Sequence, residues 1–185
     1  MTTIATALGF DVGAKRIGVA VGNGFSGTAR DLGVVDMRDD IADWIAIDKL
    51  VREWRPDALV VGDPRTQGDD ARESDLTQPS RRRAQRFARI AATRYPIPVW
   101  LVDERMSSID AAARFAEGRA AGARKRSGAR NLDAVAAAII LERWLGAPDD
   151  ADRVVADATD ADVTDAKAAE SQTATQPVTK SPISS

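Results

Sequence analysis

The segment FDVGAKRIGVAVGN, residues 10–23, constrains this chain more than any other stretch, because it reads as two apolar strands joined by a tight turn. Leu8 and Phe10 lead into Asp11. Gly13, Ala14, Lys15 and Arg16 make the turn, and Ile17, Val19 and Val21 begin a second alternation, the pattern of a β-hairpin. Asp11 therefore stands where a strand gives way to a glycine-bearing turn, a position suited to holding a metal ion or facing a phosphate. The chain contains no histidine and no cysteine. Disulfides, thiolate sites, zinc–histidine sites and Ser–His catalysis are excluded, so any chemistry must run on carboxylates, lysines, arginines, hydroxyls or a bound metal.

Further along, the apolar periodicity sorts into elements. Residues 5–11 and 16–22 are expected to pair as strands, with 32–37 (LGVVDM) as a third. Over residues 40–55, Ile41, Trp44, Ile45, Ile47, Leu50, Val51 and Trp54 recur at helical spacing, and Pro56 enforces a stop. ALVVG (58–62) is a continuous apolar run, as in a strand covered on both faces. Residues 63–79 form a long polar loop of the length usually reserved for function or disorder. A helix from Ser80 to about Tyr95 follows, then a buried strand from Val99 to Val102. A helix over about 108–117, a basic loop (118–130) and a last helix from near Asn131 to Leu145 complete the body. The four tryptophans, Trp44, Trp54, Trp100 and Trp144, lie on apolar patterns and are assigned to the core. A meander followed by crossovers gives a mixed α/β sheet with helices on its faces.

From Ala147 the composition turns to Ala, Asp, Thr, Ser and Pro without aromatics, which predicts a disordered tail over 147–185. The net charge of −2 hides an asymmetry: residues 1–146 balance at +3 and residues 147–185 at −5. The body, 1–146, is thus mildly basic and the tail acidic. No apolar run reaches membrane-spanning length, and MTTIATALGF has no basic segment ahead of a long apolar stretch. A cytoplasmic protein is expected.

Three places put acids at the ends of buried elements: Asp11, then Asp103 and Glu104 after the Val99–Val102 strand, and Asp133 in the first turn of the last helix. Ligands in open α/β sheets collect at strand ends. Carboxylates converging there repel one another unless a divalent cation lies between them, and oxygen-only ligation selects Mg²⁺ or Mn²⁺. Taken singly, each acid has a plainer role. Asp11 could cap its turn, Asp133 could complement the helix dipole, and Glu104 could pair with Arg105 or Arg16.

Basic residues cluster near these acids. Arg82, Arg86 and Arg89 share one helix face, with Arg81 and Arg83 beside them. Arg119, Arg124, Lys125, Arg126 and Arg130 crowd the loop before Asp133, and Lys15 and Arg16 adjoin Asp11. Such clusters suit phosphate contacts, although a solvated helix face is the simpler account of the first.

Four motifs in order, FDVGAKRIGVAVG, VVGDPRTQG (60–68), VDERMSS and LDAVAAAIIL, resemble the YqgF family, also called RuvX, over about residues 6–145. The resemblance implies a ribonuclease H-like mixed five-stranded sheet flanked by helices. It further implies a metal-dependent nuclease of the kind implicated in maturing the 5′ end of 16S ribosomal RNA and formerly assigned as a Holliday-junction resolvase. Asp11, Glu104 and Asp133 are then the acids that bind Mg²⁺ or Mn²⁺, with Asp103 as a neighbour. Lys15, Arg16, Arg124, Lys125 and Arg126 would hold phosphates. The expected partner is structured RNA, pre-16S rRNA or a ribosomal particle, or else branched DNA, with the protein a monomer or homodimer. Three departures stand out. Gly62-Asp63-Pro64 replaces the family's Gly-Leu-Pro, the loop that follows lacks the usual glycine-rich ending, and DERMSS varies the usual hydroxyl pattern. Asp63 is read as a solvated loop acid, with a fourth metal-site carboxylate as the other reading. Two other function classes stay open: a non-catalytic nucleic-acid-binding protein, and an ATPase or sugar kinase with a similar acid–glycine hairpin. The second normally needs another nucleotide-binding half, for which this body has no room.

Overall fold

The computed structural model describes residues 4–65, 79–104 and 128–156. The expected helix over 108–117 and the basic loop with Arg124, Lys125 and Arg126 lie outside these residues, as does most of the long polar loop.

Strands β1 (Thr6–Val12) and β2 (Arg16–Asn23) form the expected hairpin, in register Asp11↔Gly18 and Val12↔Ile17. Strand β3 (Thr28–Arg38) is longer than the apolar run alone suggests. It pairs antiparallel with β2, and one register shift beside Val19 absorbs an extra residue where Gly33 takes φ 135°. Its first half is largely exposed, so no apolar alternation marks it in the sequence. Asp39 and Asp40, both at positive φ, then turn the chain into β4 (Ile41–Ala42), which pairs back on β3. That pairing claims Ile41 for the sheet, and helix α1 therefore runs only from Trp44 to Trp54. Asp43 caps it by accepting from the Ala46 amide at 3.1 Å, and Arg55 ends it in the left-handed region before Pro56.

Strand β5 (Ala58–Asp63) lies parallel to β1 and is buried at every position, as its apolar run predicts. The Asp57 carboxylate accepts from the Ala5 and Thr6 amides and so ties the starts of β1 and β5 together. Helix α2 (Pro79–Arg94) buries Ala84, Phe87, Ala88, Ile90 and Ala91. Strand β6 (Val99–Asp103) adds parallel to β5, and helix α3 (Gly128–Gly146) starts three residues ahead of the expected Asn131.

The chain does not leave the fold at Ala147. A short 3₁₀ turn (Pro148–Asp150) leads to β7 (Asp152–Val154), which pairs antiparallel with β6. The disordered tail expected from 147 is therefore corrected for its first residues, and those beyond 156 lie outside the described structure. The sheet runs β4-β3-β2-β1-β5-β6-β7, which extends the expected five strands by two short edge strands.

Alternation along the strands sends two different surfaces to the two faces. One face carries Leu8, Phe10, Ile17, Val19, Leu59, Val61 and Val99, and is covered by α1 and α2. Phe87 stacks on Trp44 there at 5.0 Å. The other face carries mostly small residues, Ala7, Gly9, Gly18, Ala20, Gly22, Ala58 and Gly62, and receives α3 with Ala137, Ile140, Leu141 and Trp144. The tryptophans belong to these two cores, as expected. The small-residue stripe sets the position of α3. A Cβ on Gly9 would lie 2.8 Å from Leu141 Cβ, and one on Gly18 only 1.8 Å from the Asp133 carbonyl oxygen. At Gly18 no side chain fits between the helix and the strand.

Candidate active site

Asp11 points to the α3 face near the end of β1, opposite Gly18 on β2. Because Gly18 has no side chain, the backbone of Asp133 in α3 rests directly on it. The hairpin register and one glycine thus carry Asp133 to Asp11. Arg16, the first residue of β2, donates from Nε to Asp133 Oδ2 at 3.0 Å. Arg16 therefore pairs with Asp133 and not with Glu104.

Glu104 follows β6 immediately. It lies against Gly62, where an added Cβ would come within 2.2 Å of Glu104 Oε1. A second glycine thus admits a second carboxylate on the same face. The Arg143 guanidinium of α3 donates to the carbonyl of Asp103, which ties the end of β6 to the helix.

The electrostatics record how closely these groups meet. Burial, then repulsion by Asp133, pushes Asp11 up to about 6. Burial, followed by Asp11, Asp63 and Asp103, pushes Glu104 up to about 7. Asp11 and Glu104 therefore interact with each other, and Asp11 with Asp133 as well. Among the described residues, no three acids close round one point as a finished cation cage. The side chains gathered here offer only oxygen donors, the type a hard divalent ion takes, and Asp11 and Glu104 are partly desolvated.

Asp63 differs from its sequence reading. It is the last residue of β5, fully buried, and not a solvated loop acid. Arg65 Nε donates to its Oδ2 at 2.8 Å and Arg81 Nε to its Oδ1 at 3.1 Å. In register it stands beside Asp103. A buried carboxylate needs such partners. The sequence could not supply the link, since Arg81 lies eighteen residues away across an unpatterned loop.

Of the basic residues expected to meet phosphate, Lys15 is exposed at the hairpin turn and Arg16 is held by Asp133. On α2, Arg82 is exposed and Arg86 and Arg89 are half-buried, on the side away from the core.

The model of a family described as "RuvX: Holliday junction resolvase" matches residues 5–147. The chain belongs to the RuvX family. A RuvX relative from Xanthomonas axonopodis pv. citri, named "Putative pre-16S rRNA nuclease", is 52% identical over 146 residues, covering 79% of this chain and 90% of the relative. One from Xanthomonas oryzae pv. oryzae PXO99A with the same name is 53% identical over the same shares. Among solved structures, RuvC of Thermus thermophilus in complex with a Holliday junction substrate matches with a TM-score of 0.48 and 17% identity, over 80% of this chain and 99% of that one. The mixed sheet with helices on both faces is the ribonuclease H-like fold expected of a RuvX protein. Among the described residues, no helix is long and apolar enough to cross a membrane.

Proposed function

We propose that this RuvX protein is a metal-dependent nuclease that hydrolyses phosphodiester bonds in structured RNA, acting in 5′-end processing of pre-16S ribosomal RNA in the cytoplasm. The observation that carries the reading is the gathering of Asp11 and Glu104 on the α3 face, where burial and neighbouring acids raise both, with Asp133 brought over Gly18 to join them. Carboxylates are grouped against their own repulsion where positive charge is to be received. The family membership and the names of its relatives agree with this chemistry.

Asp11, Glu104 and Asp133 are the residues that would hold Mg²⁺ or Mn²⁺. Such an ion supplies Lewis-acid stabilisation of the charge that develops on the phosphate oxygens. The protein's own part is to keep Asp11 and Glu104 partly desolvated and to hold Asp133 beside Asp11. The small-residue stripe and α3 do this by excluding water from one side of Asp11. In hydrolysis a water oxygen bonds to phosphorus and the bond to the leaving ribose oxygen breaks. With no histidine in the chain, carboxylates are the groups able to take the water's proton near neutrality. Lys15 and the basic loop at 124–126 would neutralise flanking phosphates.

The test is Asp11→Asn. The fold disfavours the charged form of Asp11, so the neutral amide is expected to preserve stability while removing a ligand. Cleavage of a structured RNA with Mg²⁺ should be lost and the melting temperature retained or raised. Wild-type turnover in this variant would end the metal-site reading. A four-way DNA junction assayed in parallel decides the substrate, and cleavage of the junction alone would replace the RNA assignment with junction resolution.

A further inference from the structure

Two faces meet at the end of β5. Gly62 faces α3 and lies under Glu104, whereas Asp63, the next residue, faces the α2 side. Asp63 is fully buried and holds two arginines side-on through their Nε atoms, Arg65 from the loop after β5 and Arg81 from the first turns of α2. A third partner reaches the same cluster from the end of the fold. Asp152, first residue of β7, pairs in register with Leu101 and accepts from Arg65 Nη2. Its side chain is mostly exposed, at 69%, while that of Arg65 is 30% exposed.

We infer that Arg65, fixed by buried Asp63 and flanked by Arg81, forms a subsite for a nucleic-acid phosphate next to the scissile one, and that the Asp152 carboxylate occupies this subsite in competition with substrate. The proposal rests on the nuclease reading. Its support is geometric. A strand of nucleic acid lying over Glu104 and crossing the end of β5 meets these guanidiniums on the far side of the same strand end. An arginine gripped through Nε presents its Nη atoms in a fixed fork, the arrangement suited to phosphate oxygens. Asp63 neutralises part of the charge but fixes the geometry, so it is a positioning residue. The Asp152 oxygen already sits on Arg65 Nη2, where a phosphate oxygen would bind.

Competition gives predictions of opposite sign. Binding of a fluorescein-labelled RNA hairpin with a single-stranded 5′ extension is measured by anisotropy at several KCl concentrations. The full-length chain is used, without divalent metal, so that no cleavage occurs. Arg65→Ala should weaken binding and lower the slope of log Kd against log salt by about 0.7 to 1, the loss of one phosphate contact. Asp152→Ala should tighten binding by about two- to five-fold, the range an exposed ion pair can hold back. Asp63→Asn should weaken binding as Arg65→Ala does, through loss of position. Asp152 is exposed, so its variant folds, and it keeps the test decisive even if the Asp63 variant does not. Wild-type binding with an unchanged slope in Arg65→Ala, or no tightening in Asp152→Ala, overturns the subsite alone. Failure of the wild type to bind at any salt overturns the nuclease reading and the subsite with it.

Discussion

The position of α3 on the sheet depends on a single missing side chain, and Gly18→Ala tests what that contact does. A Cβ at residue 18 would stand 1.8 Å from the Asp133 carbonyl oxygen, 2.2 Å from its carbonyl carbon and 2.9 Å from the Ala134 nitrogen. A carbon meets a carbonyl oxygen at about 3.3 Å, so the start of the helix must retreat by roughly 1.5 Å. The obstacle is backbone, and no rotamer change relieves it. Overpacking costs about 1–3 kcal/mol, and the upper end applies here. For a chain of this size that lowers the melting temperature by about 6–12 °C. Asp133 moves with the helix, away from Asp11, and a displacement near 1 Å in a catalytic constellation costs about 100-fold in rate.

Gly9→Ala is the control. Its Cβ would meet Leu141 Cβ at 2.8 Å and the Ala137 carbonyl at 2.9 Å, more than a turn along the helix from Asp133. It should also destabilise the protein, but it should spare the rate constant of the molecules that remain folded. Melting by circular dichroism and single-turnover RNA cleavage, both well below either melting point, separate the two effects. The reasoning is refuted if Gly18→Ala cleaves at the wild-type rate, or if Gly9→Ala loses as much activity at equal fraction folded.

Two more predictions follow from the same structure. Asp11 and Glu104 bind protons more tightly in the fold, at about 6 and about 7, than their ordinary 3.8 and 4.5. The stability they contribute is complete below their unfolded values and is lost as pH rises through 6 and then 7. Without divalent metal, Asp11→Asn should therefore gain melting temperature relative to wild type as pH rises from 4 to 7.5, and a constant difference across that range would be the contrary result. For the C-terminus, a chain cut after Gly146 loses β7, Val154 from one core and Ala151 from the other. It should be less stable than one cut after Ala156 by about 2 kcal/mol, and equal urea midpoints would show that β7 adds nothing.

Residues that act through their sequence neighbours were legible in the sequence. Asp11 lies in a hairpin whose register follows from apolar alternation, and Asp133 opens a helix with almost no polar face. Both signals are local. Legibility failed where a role depends on a distant partner. Asp63 looks like a loop acid because its two arginines are separated from it by a turn in one case and by an unpatterned loop in the other. Strand β7 looks like part of a polar tail because an edge strand of three residues needs only backbone partners and one apolar contact, which Val154 supplies. The exposed half of β3 was missed for the same reason, since backbone pairing leaves no trace in side-chain pattern.

The glycines connect these readings. Gly18 and Gly62 belong to strands whose other faces are rich in Val, Ile and Leu, and a sequence scan sees them only as weak strand residues. In the fold each marks the spot where a carboxylate-bearing segment approaches the sheet backbone: Asp133 over Gly18, Glu104 over Gly62. Asp11 lies across the register from the first, on the strand next to the second. The acids are therefore gathered by the absence of side chains beneath them. That gathering costs stability through the burial of Asp11 and Glu104 and the repulsion among the acids. Glycine at both positions is what the proposed cation site would require.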